Sequence, residues 1–356
     1  MKTLNEILNS HLQAGTVIPA HPLALNAHRK LDEQRQRLLT RYYMASGAGG
    51  IAIGVHSTQF EIREPGIDLF APVLELAAEE IAKANLQRPF LKVAGLCGPT
   101  EQALREAETA IQFGYDMGLL SMGGLRDWTE EAILDRVRAV AAVIPVFGFY
   151  LQPSVGGRIF SYEFWKAFAD IQNVMAIKVA SFNRYQTLDV MRAVCNSSRK
   201  DEIAMYTGND DNIVADLLTP YQFNLNNTIV SKEFVGGLLG HWAVWTNKAV
   251  ELLEEVKAVK QQPDAHKISR LLTKGIEITD VNAAMFDPAN HFHGCIPGMH
   301  EFLRRQGLLE GIWCLNPEEK MSPGQSEEIT RVYAAYPHLH DNSFVHTFLQ
   351  SENRAL

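Results

Sequence analysis

The chain has only four cysteines in 356 residues, Cys97, Cys195, Cys295 and Cys314, widely separated and without a CxxC pair. That scarcity argues against a disulfide framework or a structural zinc site, and a reducing cytoplasm is the expected location. No run approaches the ~18 uninterrupted apolar residues of a membrane-spanning helix, and the opening MKTLNEILNSHLQAG lacks the apolar core and cleavage site of an export signal. Neither a membrane partner nor secretion is expected. Basic residues are outnumbered, 33 Lys and Arg against 41 Asp and Glu for a net charge of −8. They are also scattered, so no basic stripe tracks a nucleic-acid backbone, and nucleic acid is not an expected partner. GxGxxG and GK[ST] phosphate loops are missing, so no nucleotide cofactor is implied. HFHGC (291–295) and PHLHD (337–341) have no zinc-spaced partner pair, so neither is read as a metal site.

What is present is apolar content of 46% beside 21% charge, enough to bury a large core. Short apolar or β-branched runs alternate with amphipathic stretches: TVIPA (16–20), GIAIGV (50–55), FLKVAGL (90–96), MGLLSM (117–122), IPVFGFYL (144–151), VMAIKVA (174–180), IAMYTG (203–208) and FVGGLLG (234–240). Between them lie helical patterns such as TEQALREAETAIQFG, with Ala103, Ala107, Ala110 and Ile111 near one face and Thr100 and Gly114 as candidate ends. Nearly continuous apolar strands suit a parallel sheet covered on both faces. Eight βα units predict an α/β fold, a (β/α)8 TIM barrel over residues 1–260, with a C-terminal helical appendage over 261–356. The Asn-rich stretch TPYQFNLNNTIVSKE (219–233) is expected to be an extended surface loop, a lid or subunit contact.

Barrel enzymes carry their chemistry at the C-terminal ends of the strands. There the sixth run holds Lys178 and the fifth ends in Tyr150. Alternation places Ala176, Lys178 and Ala180 on one face, and Val146, Gly148 and Tyr150 on one face of the neighbouring strand. If both faces point inward, phenol and amine converge, and burial makes the amine nucleophilic enough to condense with a ketone. Against this stands the ordinary fate of a strand-end lysine, which snorkels to solvent or pairs with a carboxylate.

FGFYLQPSVGG resembles a Tyr-x-x-Pro segment, IKVAS a lysine strand and YTGNDD a Gly-Asp-Asp turn, in the order and spacing of the Schiff-base class I aldolases that include dihydrodipicolinate synthase and N-acetylneuraminate lyase. GIAIGVHSTQFE and GTVIPAHPLAL are similar to that family's second and first strands, and the resemblance runs from about residue 15 to about 340. It implies that Lys178 forms an imine with a 2-oxo acid such as pyruvate, whose partner is an aldehyde. Tyr150 would relay the proton, and Ser57 and Thr58 would supply a helping hydroxyl and hold the substrate carboxylate. It also implies a homodimer or homotetramer and no cofactor.

The departures are as informative. Val155 stands where the synthase pattern has an arginine, with Arg158 three residues on, and MGGLRDW replaces a Tyr-Tyr segment. The expectation is therefore a lyase, aldolase or hydro-lyase other than dihydrodipicolinate synthase itself. His21, His56 and His241 follow the first, second and eighth strands, with Trp242 beside the last, and predict a rim of imidazoles that binds substrate. Two further readings stand beside the lyase: a metal-dependent barrel enzyme using His21, His56 and His241, and a barrel that binds small molecules without turnover.

Overall fold

The computed structural model describes residues 2–355, and it divides into two compact units. The first comprises residues up to Thr16 and Leu91–Leu238. It holds α1 (Glu6–Ala14), β3 (Leu91–Leu96), α4 (Thr100–Gln112), β4 (Met117–Leu120), α5 (Glu130–Ala141), β5 (Val146–Leu151), α6 (Tyr162–Ala169), β6 (Val174–Ala180), α7 (Arg184–Cys195), β7 (Ala204–Thr207), α8 (Ile213–Leu218), β8 (Tyr221–Leu225), β9 (Thr228–Lys232) and β10 (Phe234–Leu239). The second comprises Val17–Phe90 and the residues from Leu239 onward. It holds β1 (Val17–Pro19), α2 (Glu33–Ala45), β2 (Gly50–Ile53), α3 (Phe70–Ala84), α9 (Thr246–Gln261), α10 (Ala265–Phe286), α11 (Cys295–Arg305), α12 (Gln325–Ala335) and α13 (Asn342–Ala355).

In the first unit the sequence sets each helix by a buried stripe and a cap. In α4 the stripe is Ala103, Ala107 and Ala110, Pro99 rather than Thr100 is the N-cap, and Gly114 ends the turn at φ 74°. Thr129, Ser161 and Asn183 cap α5, α6 and α7 by accepting from Ala132, Phe164 and Tyr185 amides. Neighbouring strands pair in parallel, with Phe149 opposite Lys178 and Lys178 opposite Tyr206. Every residue of β4, β5 and β7 is buried, as a sheet covered on both faces requires.

The strand order is β1-β10-β7-β6-β5-β4-β3-β2, and β1 and β2 are bridged through Ala20 and Ala52 with His21 N donating to Ala52 O at 2.8 Å. This is a (β/α)8 barrel whose eighth strand is β10, followed by C-terminal helices. Within the second unit α10 packs on α11 and α12, and α13 on α2. Buried Asp341 joins several of these elements, accepting from Tyr42 Oη at 2.7 Å and Gln306 Nε2 at 2.7 Å.

One expectation is corrected. Residues 219–233 are not an extended loop: β8 and β9 form an antiparallel hairpin closed by Asn226 and Asn227, at φ 52° and 63°. Two left-handed residues make the tight turn whose twist matches paired strands, and asparagine tolerates that region better than most residues.

Candidate functional site in the Lys178 strand

Lys178 lies near the end of β6 and is only 7% exposed. Its Nζ sits 4.3 Å from the centroid of the Phe149 ring, on the strand that pairs with it residue for residue. Burial pulls the amine down to about 8, and the negative charge of Asp210 opposes that fall. On the same face Phe147 meets Tyr206 edge-on at 5.2 Å, and Tyr206 Oη donates to Leu12 O at 2.9 Å. Gly208 leaves room for the lysine stem, since a Cβ there would lie 2.6 Å from Lys178 Cε and 2.9 Å from Ala180 Cβ.

The turn after β7 that carries Asp210 is held by a buried carboxylate. Asp216 is fully enclosed and accepts from Thr207 Oγ1 at 2.7 Å, Asn209 Nδ2 at 2.9 Å, Asn212 Nδ2 at 3.0 Å and Arg184 Nη1 at 2.6 Å. Asn209 Oδ1 in turn accepts the Phe182 amide at 3.0 Å, tying the end of β6 to the turn after β7. The sequence reading likened YTGNDD to a Gly-Asp-Asp turn and gave Asp210 no role of its own. The signal for Asp210 was a carboxylate two residues past a glycine that abuts the lysine, legible only once β6 and β7 are known to pair.

Tyr150 does not converge with the amine. Its ring packs 4.9 Å from Trp165 and 6.3 Å from Phe160, on the face where a Cβ at Gly148 would strike the Phe168 ring of α6. The odd positions Phe147 and Phe149 share the lysine's side and the even ones turn to the helix, because the β5–β6 register shifts between Val146 and Phe147. Burial raises the phenol to about 12. The Phe160 backbone lies close enough to oppose that shift without ordinary hydrogen-bond geometry, and Oη has no partner among the described residues. Arg158 spends its Nη1 on the Leu125 and Trp128 carbonyls, at 3.2 and 2.8 Å.

The other candidates belong to the second unit. Ser57 Oγ donates to Ala20 O at 2.9 Å and Thr58 Oγ1 to His21 O at 2.7 Å, so both hydroxyls tie down the end of β1. His21 is fully buried, with Nδ1 2.8 Å from Pro22 O and Nε2 3.0 Å from Thr40 Oγ1, and burial lowers it to about 4. His241 is likewise brought down to about 4 by burial, against a hydrogen bond with Asn282 of α10, and its ring meets Trp245 edge-on. Trp242 is fully enclosed, and half-buried His56 lies 5.9 Å from the Phe60 ring. The imidazole rim expected from the sequence does not form. His21 and His241 each turn toward a helix that offers a polar partner, and a ring held in that way cannot also face a common centre. Among the described residues no group of three or more His, Cys, Asp and Glu side chains could share a cation, so the metal reading loses its ligand set.

No family profile matches the chain. It is 32% identical over 117 residues to 4-hydroxy-tetrahydrodipicolinate synthase of Clostridium novyi (strain NT), a stretch covering 32% of this chain and 38% of that protein. The match thus spans less than two fifths of that relative. Among solved structures, dihydrodipicolinate synthase from Oceanobacillus iheyensis superposes with a TM-score of 0.72 at 17% identity, over 93% of this chain and 99% of that one. CdNal from Clostridium difficile, solved with mannosamine, gives 0.69 at 15%, over 90% and 99%. These two likenesses establish the fold. The matched stretch adds a local sequence similarity to a dihydrodipicolinate synthase, on the same fold that these structures share.

Proposed function

We propose that the protein is a Schiff-base lyase or aldolase that uses Lys178 to act on a 2-oxo acid such as pyruvate. One observation carries the reading: an enclosed lysine near the end of a barrel strand, its amine lowered to about 8 by burial. At pH 7 roughly one such amine in ten is unprotonated, against about one in three thousand for an ordinary lysine. The free amine adds to the ketone carbon, and the carbinolamine hydroxyl takes up the proton that Asp210 accepted from the ammonium and leaves as water, giving the protonated imine. The imine accepts the electron pair of the bond to the hydroxyl-bearing carbon while a base such as Asp210 takes the hydroxyl proton and the aldehyde leaves. Run backward, the same steps join the aldehyde to the 2-oxo acid. Asp210, whose charge acts on the amine, suits the role of proton acceptor as the ammonium becomes a nucleophile.

The reaction of dihydrodipicolinate synthase itself is disfavoured in this proposal, because Val155 replaces an arginine and Arg158 Nη1 is committed to backbone carbonyls. A cytoplasmic homodimer or homotetramer belongs to the same proposal. The test is incubation with pyruvate and sodium borohydride, followed by intact-protein mass spectrometry and peptide mapping. An adduct on Lys178 is the expected result. No adduct with pyruvate or larger 2-oxo acids overturns the proposal.

A further inference from the structure

An aromatic ring stands beside the reacting nitrogen. Phe149 is 3% exposed, pairs with Lys178 across β5 and β6, and holds its ring centroid 4.3 Å from Nζ. A ring face carries partial negative charge and attracts a cation most strongly where water is excluded. We propose that Phe149 is a catalytic residue whose ring face stabilises the lysine-derived cation, first as ammonium and then as protonated imine. This rests on the Schiff-base reading and puts a ring face beside the amine, where the sequence reading had placed the Tyr150 phenol as a proton relay.

The chemistry fits the position. When the carbinolamine takes up a proton and expels water, the charge that appears on nitrogen lies over a ring face on β5 and feels the charge of Asp210 on the turn after β7. When the carbon–carbon bond breaks, its electron pair quenches that charge and leaves a neutral enamine. The ring therefore stabilises the imine relative to the neutral carbinolamine and enamine on either side of it, and does not assist the cleavage that follows. It also lets the amine keep its proton to higher pH than burial alone would permit. The titratable groups on the elements around Lys178 include Asp210 and Asp211 on the turn, the latter raised by burial, Tyr206 on β7 with its Oη given to Leu12 O, and Tyr150 on the opposite face of β5. Of these, only Asp210 acts on the amine's charge.

The test needs no substrate. Competitive acetylation with a trace of acetic anhydride, followed by peptide mapping, reads the free-amine fraction of Lys178 against pH in the full-length protein. Phe149→Leu, which keeps the site apolar, is expected to move the midpoint down by about half a unit to one unit. Phe149→Tyr, which keeps the ring face, should coincide with wild type. If Phe149→Leu does not fold, site-specific 3,4,5-trifluorophenylalanine at 149 keeps the shape while withdrawing charge from the face, and the same downward shift is expected. Coincident midpoints for wild type and either ring-depleted protein overturn the inference. Borohydride trapping with pyruvate, run in parallel, separates the two claims: wild type that never traps removes the lyase reading, whereas wild type that traps without a midpoint shift on ring depletion removes only the role of Phe149.

Discussion

Lys178 and His21 are both enclosed, and both are driven toward their neutral forms by burial, Lys178 to about 8 and His21 to about 4. They differ in what receives them. His21 has a carbonyl at one ring nitrogen and a hydroxyl at the other, inside a packed layer with Tyr43 edge-on at 5.1 Å. Lys178 has a ring face beneath its amine and the charge of Asp210 acting on it. A titratable group whose hydrogen-bonding capacity is used by the fold is part of the fold. One held by a ring face and a charge retains the capacity to react.

The sharpest way to break this contrast is Lys178→Ala, which should abolish the borohydride-trapped adduct while leaving the thermal transition cooperative. An adduct surviving in that variant would place the chemistry elsewhere. Next in size is a stability effect. Because the folded amine titrates near 8 and the unfolded one near 10.5, the unfolded chain binds more protons between those pH values, so stability rises with pH across that window. Urea denaturation should find wild type gaining on Lys178→Met by about 3 kcal/mol from pH 8 to 10.5; parallel curves would mean that the amine is not desolvated.

His21→Ala should cost about 2 kcal/mol of stability by emptying a buried site and taking one hydrogen bond each from Thr40 Oγ1 and the Pro22 carbonyl, which keep their bonds with Gln36. It should leave trapping on Lys178 unchanged. The same linkage runs lower on the pH scale for this residue: folded near 4 and unfolded near 6.5, His21 makes wild type gain stability on His21→Ala as pH rises through that interval. The smallest effect is expected from Tyr150→Phe. Removing a buried Oη that has no hydrogen-bond partner among the described residues should change stability by less than about 1 kcal/mol, and the trapping rate should stay within about twofold if the phenol takes no part. A large slowing of proton transfer would restore the relay role that the family resemblance gives it.

The barrel was legible because each strand announces itself: eight apolar runs separated by capped helices leave few other architectures. Lys178 was legible for the related reason that an ammonium inside such a run demands an explanation. Direction was not legible. Which side of β5 faces the lysine depends on a register shift at Val146 and Phe147, and a one-residue change of register exchanges the two faces of a strand. That shift replaced Tyr150 by Phe149 beside the amine. The histidines failed as a rim for a comparable reason, since a residue just past a strand end turns to whichever neighbour satisfies it, and Thr40 is nineteen positions from His21. The hairpin carried its signal in Asn226–Asn227, read as loop composition when the pair is the two-residue turn itself.

The fit between Gly208 and the lysine stem reaches beyond shape. A lysine on a surface explores its four torsions freely, and a reaction that requires one arrangement must first freeze them. Here the stem passes so close to Gly208 that a methyl group there would collide with Cε, while the terminal nitrogen rests on the Phe149 ring. The ordering of that side chain is therefore completed when the chain folds. In the proposed Schiff-base chemistry only the ketone would then have to be brought in, and the intrinsic rate of imine formation would be a property of the folded state and not of the collision.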